Sequence, residues 1–291
     1  MVRKILTIIL CGLCLSGCEK VRTEKDVIVV EGWIEEGRRP MVFLHKAVRM
    51  TETEVGMEEM MRERMVYAAR VYVSDGTDSV QLIARIDTTY LPPYYYHNVL
   101  MKGATCKTYR LTVDYQGQRL SAVTTVPAVV PIDSIIITGA EDVEVCFNDN
   151  EATTDYYALF YSLGKKRQYS LASLGVMDDR ASQGQTVRWR VNRSNTMLDV
   201  TKEFNFAVGD TVSVKLAHID AQSYAVLSSF VSSAESNTWI FMPKAQIKSN
   251  INGGLGYWCG YGSDVRQIVV QERDTTIVYS DVSMSGKRKS L

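Results

Sequence analysis

The sequence predicts an all-β, mainly antiparallel fold, with an N-terminal Ig-like β-sandwich followed by a second β-sandwich or barrel-like domain that carries one short helix. The first observation behind this prediction is that short segments along most of the chain alternate β-branched or aromatic side chains with polar ones. The second is that glycine-containing turn pairs separate several of these segments. Short strands broken by turns in this way are typical of antiparallel sandwiches.

Residues 27–127 form the predicted N-terminal sandwich domain. Its candidate strands lie in four segments, which are "VIVVEGWIEEG" from Val27, "AARVYVSDG" from Ala68, "SVQLIARID" from Ser79 and "TYRLTVDYQGQRLSAVTTV" from Thr108. Asp75-Gly76 predicts a hairpin turn between the second and third segments, and Gln116-Gly117 predicts another within the fourth.

A helix is also predicted in this domain, over residues 51–66, where Thr51 and Glu54 fit a capping box. Methionines repeat every four residues along it, at Met57, Met61 and Met65. Such a stripe either covers the sandwich as part of a connecting segment or forms an adaptable binding surface, and the pattern leaves both open.

A domain boundary is predicted at residues 127–131, "PAVVP", because neither proline can donate a hydrogen bond to a central strand. The second domain then covers residues 132–285. Its candidate strands are "IDSIIIT", "EDVEVCFND", "DYYALFYSLG", "KRQYSLASLGV", "QTVRWRV", "DTVSVKLAHID" and a terminal pair within "VRQIVVQERDTTIVYSDV". Asp220 is placed to cap the helix of this domain, "AQSYAVLSSFVSSA". The apolar face of that helix is formed by Tyr224, Leu227, Val231 and Ala234.

Residues 1–17 have the composition of a secretory signal peptide. Arg3 and Lys4 precede an apolar run that is too short to span a bilayer as a permanent helix. The following "LSGC" fits the bacterial lipobox, in which cleavage leaves Cys18 as the acylated N-terminus. The sequence therefore predicts that acyl chains such as palmitate on Cys18 hold the protein on membrane lipid. Residues 18–26, "CEKVRTEKD", would be the lipidated, unstructured tether.

The charge balance and the cysteines exclude two classes of function. Removing Arg3 and Lys4 from the 33 basic residues leaves 31 against 33 acidic ones, so the mature chain lacks the basic field that nucleic-acid binding needs. The cysteines that remain beyond Cys18 match no zinc-site spacing. They are Cys106, Cys146 and Cys259, which permit at most one disulfide. We expect at least two of them to be small buried apolar residues.

An aromatic cluster, "YLPPYYYHN", is one candidate contact surface for a ligand or partner. Its tyrosines are Tyr90, Tyr94, Tyr95 and Tyr96, around two prolines that stiffen the segment. If the segment is extended, alternation sends Tyr94 and Tyr96 to one side and Tyr95 to the other, so at least one of them belongs to the core.

The glycine-rich stretch "SNINGGLGYWCGYG" from Ser249 is a second candidate. Its glycine spacing does not fit a dinucleotide-binding loop, and the chain around it has the pattern of antiparallel strands. Structural glycines, with positive φ or close backbone approach at a bend or bulge, are the favoured interpretation for Gly253, Gly254 and Gly256. The alternative is contact with a ligand or receptor through Tyr257, Trp258 and Tyr261.

No catalytic residue, metal site or cofactor is predicted. The three histidines, His45, His97 and His218, lie in no metalloprotease motif, and no nucleophile elbow occurs. Acidic residues in "NDNEATTD" and at Asp178 are of the type that binds calcium. They lack the glycine and terminal glutamate of an EF-hand loop, so solvated turns are the favoured interpretation.

Several motifs resemble a known family. "LSGC", "VVEGWIEEG", "TYRLTV" with "TTVPAVVPIDSI", and above all "SNINGGLGYWCGY" are similar to the Bacteroidota outer-membrane lipoproteins catalogued as domain of unknown function 4249. The resemblance implies a β-rich lipoprotein of the outer membrane, often encoded beside a TonB-dependent receptor, and it brings no catalytic residues. The chain departs from the usual family pattern at Tyr257, Trp258 and Cys259, where smaller residues or phenylalanine are more common.

Three functions follow from these observations. The leading one is a lipid-anchored, non-catalytic accessory of a TonB-dependent outer-membrane receptor, which captures a ligand or docks on the receptor. The second is a surface adhesin or scaffold lipoprotein, and the third is an envelope hydrolase with a site assembled from scattered residues. Whether the protein faces the periplasm or the medium is left open.

Overall fold

The computed structural model describes residues 26–47, 64–139, 142–149, 153–180, 183–194, 203–236 and 247–279. The chain is all-β and mainly antiparallel, with a single helix in the part of the chain that the structure describes. Cys18 and the predicted tether up to residue 25 lie outside the described residues. Within the described part of the chain, no helix is long and apolar enough to cross a membrane.

The described residues form fifteen strands and one helix. The strands before residue 127 are β1 (Ile28–Glu35), β2 (Met41–Lys46), β3 (Arg70–Ser74), β4 (Ser79–Ile86), β5 (Tyr94–His97), β6 (Thr108–Tyr115) and β7 (Gln118–Thr125). Those after it are β8 (Ser134–Thr138), β9 (Asp142–Asn148), β10 (Tyr156–Leu163), β11 (Ser170–Asp178), β12 (Thr186–Arg190), β13 (Thr211–Ile219), β14 (Leu255–Val269) and β15 (Thr275–Val278). Helix α1 (Ala221–Ser236) lies between β13 and β14.

Eleven strands form one large sheet in the order β11-β10-β13-β14-β1-β2-β5-β4-β3-β6-β7. All the neighbouring pairs in it are antiparallel except β1 and β14, which pair in parallel. The expectation that only antiparallel strands surround the glycine-rich stretch is therefore wrong. Both predicted hairpins are present, and Gln116 and Gly117 both have positive φ in the β6–β7 turn, as a two-residue turn between twisted strands requires.

A second sheet has four strands in the order β12-β9-β8-β15. The predicted terminal pair of strands is thus divided between sheets, because β14 pairs with β13 and β1 while β15 pairs with β8. Alternating side chains of this small sheet and of β10, β13 and the end of β14 form one buried cluster, which includes Val145, Tyr157, Val214 and Ile268.

A separate buried cluster, the first core, lies in the first half of the chain, and the cluster around the small sheet is the second core. Side chains of β1 to β7 build it, and Ile251 and Trp258 enter it from the C-terminal part of the sequence. The large sheet curls back here, since Ser121 of β7 and Asn252 exchange two backbone hydrogen bonds. The predicted boundary at residues 127–131 lies between these two clusters in the sequence, but β14 contributes to both. The division into two domains stays a prediction.

Helix α1 confirms the prediction of a helix after Asp220. Asp220 Oδ1 accepts a hydrogen bond from the Ser223 backbone N–H at 2.7 Å, which caps the first turn. The helix packs on the outer face of the large sheet, where Leu227 is buried against β10, β13 and β14. Tyr224 and Val231 are half-buried on that side.

The other predicted helix, over 51–66, lies mostly outside the described residues. Its described end is not helical, because Met65 forms a bridge to His45 of β2. All three cysteines in the described residues are free thiols, of which Cys146 and Cys259 are buried and Cys106 is exposed.

Candidate functional site

A cleft of about 400 Å³ opens on the outer face of the large sheet, where β10, β13, β14 and β1 lie side by side. On β1 and β14, this is the side of the sheet opposite the first core. Strands from both halves of the sequence line the cleft, so neither half could form it alone.

Strand alternation explains which side chains reach the cleft. On β1, Val30 and Ile34 point into the first core, which turns Trp33 and Glu35 to the other face. On β14, Trp258 points into the core and the adjacent Tyr257 faces outward. Parallel pairing then sets Tyr257 opposite Glu31 and Tyr261 opposite Glu35.

A buried ion pair lies at the base of the cleft. Lys215 Nζ of β13 donates to Glu35 Oε1 at 2.6 Å, and the two side chains are 6% and 3% exposed. Ser263 Oγ donates to the second oxygen, Glu35 Oε2, at 3.0 Å. Arg38 Nε lies 3.5 Å from the same oxygen and approaches from the rim. Both carboxylate oxygens are therefore partnered, which a buried charge needs.

Electrostatics keeps this carboxylate ionised. Burial by itself raises the pKa of Glu35, but the Lys215 ammonium, helped by Arg38 and Ser263, brings the pKa below its usual value. Glu31, farther along the same face, has a pKa raised by burial. The two glutamates of β1 thus have opposite environments.

Aromatic rings surround the Lys215 ammonium. Its Nζ lies 4.2 Å from the ring centre of Tyr169, 5.7 Å from that of Phe160 and 5.9 Å from that of Tyr261. These are distances at which ring faces attract a cation. The three rings and the ion pair together form the base of the cleft.

Exposed cations form the rim. They are Arg38 and Arg39 in the β1–β2 turn, Lys102, and Arg167 between β10 and β11. The Gln168 side-chain amide bonds both the N–H and the C=O of Leu91, at 2.8 and 2.9 Å, and so ties the β10–β11 loop to the loop that precedes β5. Of the lining residues, five are cationic and Glu35 is the one acid, so the cleft has an excess of positive charge.

The structure brings parts of both predicted aromatic segments onto this face. Tyr257 and Tyr261 line the cleft, and so does Tyr90. Tyr95 lies 5.2 Å from Tyr90 between ring centres. Both of these rings contact Phe43, which in turn stacks on Trp33 at 5.7 Å. An unbroken row of rings therefore connects Tyr95 to the cleft.

Tyr94, Tyr96 and Trp258 are not contact residues, because alternation turns them into the first core. Trp258 is fully buried, and its Nε1 donates to the Tyr109 carbonyl at 3.1 Å. The hydroxyls of Tyr94 and Tyr96 donate to the backbone carbonyls of residues 67 and 66. Each buried polar atom thus has its partner inside the protein.

The structure places the glycines where strands approach closely. Gly253 and Gly256 have φ of +82° and +104°. A methyl group on Gly256 would overlap the Val30 carbonyl, and one on Gly254 would overlap the Leu120 side chain. Asn250 supports the same segment, since its side chain accepts from the Trp258 N–H and donates to the Trp258 carbonyl. The "SNINGGLG" motif therefore lets the start of β14 lie in close contact with β1 and β7.

Local sequence patterns do not predict the residues at the base of the cleft. Trp33, Glu35 and Lys215 all lie in predicted strands, but no local pattern assigned any of them to a site. A usable signal existed, because Lys215 lies between the buried apolar residues Val214 and Leu216 of β13. A lysine there needs a partner, although the sequence does not say that the partner is in β1.

The fold and the cleft define an all-β protein with a small-molecule-sized, aromatic cleft rimmed by cations on its sheet face. The chain belongs to the family described as domain of unknown function (DUF4249), whose model matches residues 19–267. This match confirms the family membership that the motifs indicate. A search of curated proteins finds no significant match.

Proposed function

We propose that the protein is an outer-membrane-anchored lipoprotein that acts as a non-catalytic accessory of a TonB-dependent transporter, and that it captures a ligand in the cleft. The observation that carries this proposal is the cleft itself. It is concave, its volume of about 400 Å³ is in the range of small-molecule sites, and aromatic side chains surround a few fixed polar groups.

The lining supports an anionic ligand that has a flat or ring-shaped portion. Trp33, Tyr169 and Tyr257 offer ring faces for stacking, and the rim cations Arg39 and Lys102 offer charge-assisted hydrogen bonds. Glu35 does not oppose an anion strongly, because its charge is matched by Lys215.

The anchor and the partner rest on the sequence. The lipobox ends at Cys18, and the family match begins at residue 19, directly after it. Residues 18–26 would span at most about 30 Å when fully extended. A receptor in the same membrane would then meet the protein at high effective concentration, so even a modest interface would hold the pair.

The test is affinity purification from detergent-solubilised outer membrane, with identification of the co-purifying proteins and small molecules by mass spectrometry. The cleft variant is Arg39→Ala/Lys102→Ala, and the matched control is Arg188→Ala/Arg190→Ala on exposed β12. We expect a TonB-dependent receptor with all three proteins. We expect an anionic small molecule with the wild type and the control but not with the cleft variant.

Two outcomes would contradict the proposal. If no outer-membrane receptor co-purifies and the wild type instead retains host or matrix macromolecules, the adhesin function is favoured. If the same small molecules co-purify with the cleft variant, the cleft is not the capture site. Cys18→Ala tests the anchor separately, and we expect it to release the protein into a soluble envelope fraction or to leave the uncut precursor.

A further inference from the structure

Three carboxylates meet at one edge of the second core, two of them from the connection between β9 and β10 and one from the end of β11. Asp149 follows β9, Asp155 precedes β10 and Asp179 follows β11. One oxygen of each lies within 4.8 Å of the others. The side chains do not lie in solvated turns, since Asp149 and Asp155 are 9% exposed and Asp179 is fully buried. Folding therefore concentrates negative charge where water screens it poorly.

Protein groups hold two of these carboxylates in place. Asp149 accepts the Tyr157 hydroxyl on Oδ1 at 2.5 Å and the Gly184 N–H on Oδ2 at 3.1 Å. Both oxygens of Asp155 lie 3.0 Å from the Thr153 hydroxyl. None of these donors carries a charge, so they orient the carboxylates without neutralising them.

The third carboxylate is only half satisfied. Asp179 Oδ2 accepts the Asp155 N–H at 2.9 Å, but Asp179 Oδ1 is buried and has no hydrogen-bond partner among the described residues. A buried acceptor without a partner is costly and points to a missing ligand. Burial, and then the negative charges of Asp149 and Asp155, raise the pKa of Asp179, which reflects the same crowding.

The nearest basic group does not offset three charges. His218 Nε2 lies 3.4 Å from Asp155 Oδ1, while Nδ1 of the same ring is within hydrogen-bond distance of the Ala128 carbonyl, at 2.8 Å. A histidine supplies at most one charge. Arg180, close in sequence, is instead bound to Asp178 on the exposed side.

We propose that Asp149, Asp155 and Asp179 bind a calcium ion, with Asp179 Oδ1 as one of its ligands. Calcium takes oxygen ligands at 2.3–2.6 Å, so two oxygens on the same ion are at most about 4.6–5.2 Å apart, which accommodates the spacing of this cluster. The ion would join the end of β9 in the small sheet to β10 and β11 in the large sheet. It would therefore hold the two sheets of the second core together. None of its three ligands lines the cleft.

Calcium binding can be measured directly on the full mature protein with terbium(III) as the probe. Tyr157 touches Asp149, so a terbium ion in the site would be sensitised by tyrosine excitation. We expect luminescence that calcium displaces, with a calcium dissociation constant of roughly 10⁻⁴ to 10⁻³ M, as in extracellular modules. Asp155→Asn should weaken binding about tenfold or more, because it removes one charged ligand. The control Asp178→Asn, outside the cluster, should leave it unchanged.

Thermal unfolding gives an independent readout. With a chelator present, Asp179→Asn should unfold at the wild-type temperature or above it, because the variant removes charge crowding. With millimolar calcium the wild type should gain stability and the variant should not. The proposal is overturned if calcium neither displaces terbium nor raises the wild-type unfolding temperature, or if Asp155→Asn and Asp178→Asn bind equally. An equal response to magnesium would overturn the assignment to calcium.

Discussion

Lys215 is a charged residue inside a buried strand, and its charge is matched by Glu35 from the other half of the sequence. Burying two charges is expensive, and a pair of this kind contributes little stability compared with well-packed apolar residues. Removing one partner is strongly destabilising, because the other charge stays buried without compensation. The pair therefore makes folding of the two halves depend on each other.

We expect Lys215→Met to destabilise the protein by about 3–5 kcal/mol, because Glu35 is then left buried and its rim neighbour Arg38 is mostly exposed. The double variant Glu35→Gln/Lys215→Met should regain most of that loss. Urea unfolding followed by tryptophan fluorescence measures both. Equal destabilisation by the single and double variants would show that packing, rather than charge, sets the cost.

The pair also predicts a pH dependence. The pKa of Glu35 in the folded protein is lowered from its ordinary value of 4.5, so the folded state binds fewer protons than the unfolded state near that pH. The stabilisation is complete above pH 4.5 and is lost as the pH falls below it through the folded pKa. The difference in unfolding free energy between wild type and Glu35→Gln should shrink over that range. A difference that stays constant from neutral pH downward would contradict this prediction.

Gly256 shows how one backbone position determines the path of a strand. Its φ of +104° disfavours any side chain, and a methyl group would also overlap the Val30 carbonyl. We expect Gly256→Ala to cost roughly 3–5 kcal/mol. Gly76→Ala is the matched control, since Gly76 has a φ of +91° but open space around it, and it should cost about 1–2 kcal/mol. Similar costs for the two variants would rule out the overlap.

At the scale of elements, the Asp220 carboxylate both caps helix α1 and binds strand β7. Asp220 Oδ1 accepts the Ser223 N–H, while Oδ2 accepts the Thr124 hydroxyl at 2.8 Å and the Thr125 N–H at 2.9 Å. The helix N-terminus is thereby fixed to the end of β7. One carboxylate thus joins an element of the second half of the chain to one of the first.

Two substitutions separate these roles. Asp220→Ala should cost about 2–4 kcal/mol, because it removes the cap and leaves the Thr125 N–H without its acceptor. Asp220→Asn keeps an oxygen for the cap but presents an amide N–H₂ to the β7 donors, so it should cost about half as much. Chemical denaturation measures both, and helical circular dichroism should fall more for the alanine variant. If both variants lose the same stability, the cap is not a separate contribution.

Strand β14 is the element that the sequence describes least well. It spans Leu255–Val269, pairs in parallel with β1 through its first half and antiparallel with β13 through its second. Alternation predicted strand character only from residue 265, because glycines and aromatics obscure the period before that. Pairing direction is a long-range property that no local pattern specifies.

For the whole molecule, β14 makes the first half depend on the last part of the sequence. Trp258 is fully buried in the first core, and Ile251 is almost fully buried beside it. Without these two side chains the first core would have a large void. Without β14, strand β1 would have an unpaired edge. The sheet face that forms the cleft is continuous across the same strand.

We expect a fragment of residues 26–131 to fail to unfold cooperatively on its own, since it lacks these two side chains. A synthetic peptide of residues 247–262 added in trans should restore a cooperative transition, and the same peptide with Trp258→Ala should not. Near-ultraviolet circular dichroism and thermal melts measure this. A fragment that folds without the peptide would support the two independent domains that the prolines at 127 and 131 predict.

Local patterns were enough to predict the strand-rich fold, both hairpins, helix α1 with its cap, and the family. These features depend on side-chain period and turn chemistry, which act over a few residues. Alternation also predicted that Tyr94 and Tyr96 share one side and Tyr95 takes the other, but it did not predict which side is the core. The lipid anchor at Cys18 is a sequence prediction of the same local kind, and it lies outside the described residues.

Tertiary structure alone decided where function can lie. The parallel pairing of β14 with β1 brought Tyr257 and Tyr261 beside Trp33 and sent Trp258 to the core. The neighbouring β13 supplied Lys215 to Glu35, and Asp179 met Asp149 and Asp155 at one edge of the second core. Each of these contacts joins residues that are far apart in the chain. The sequence states which side chains must be buried or partnered, but the partner is chosen by the register and direction of strands that only the folded sheet defines.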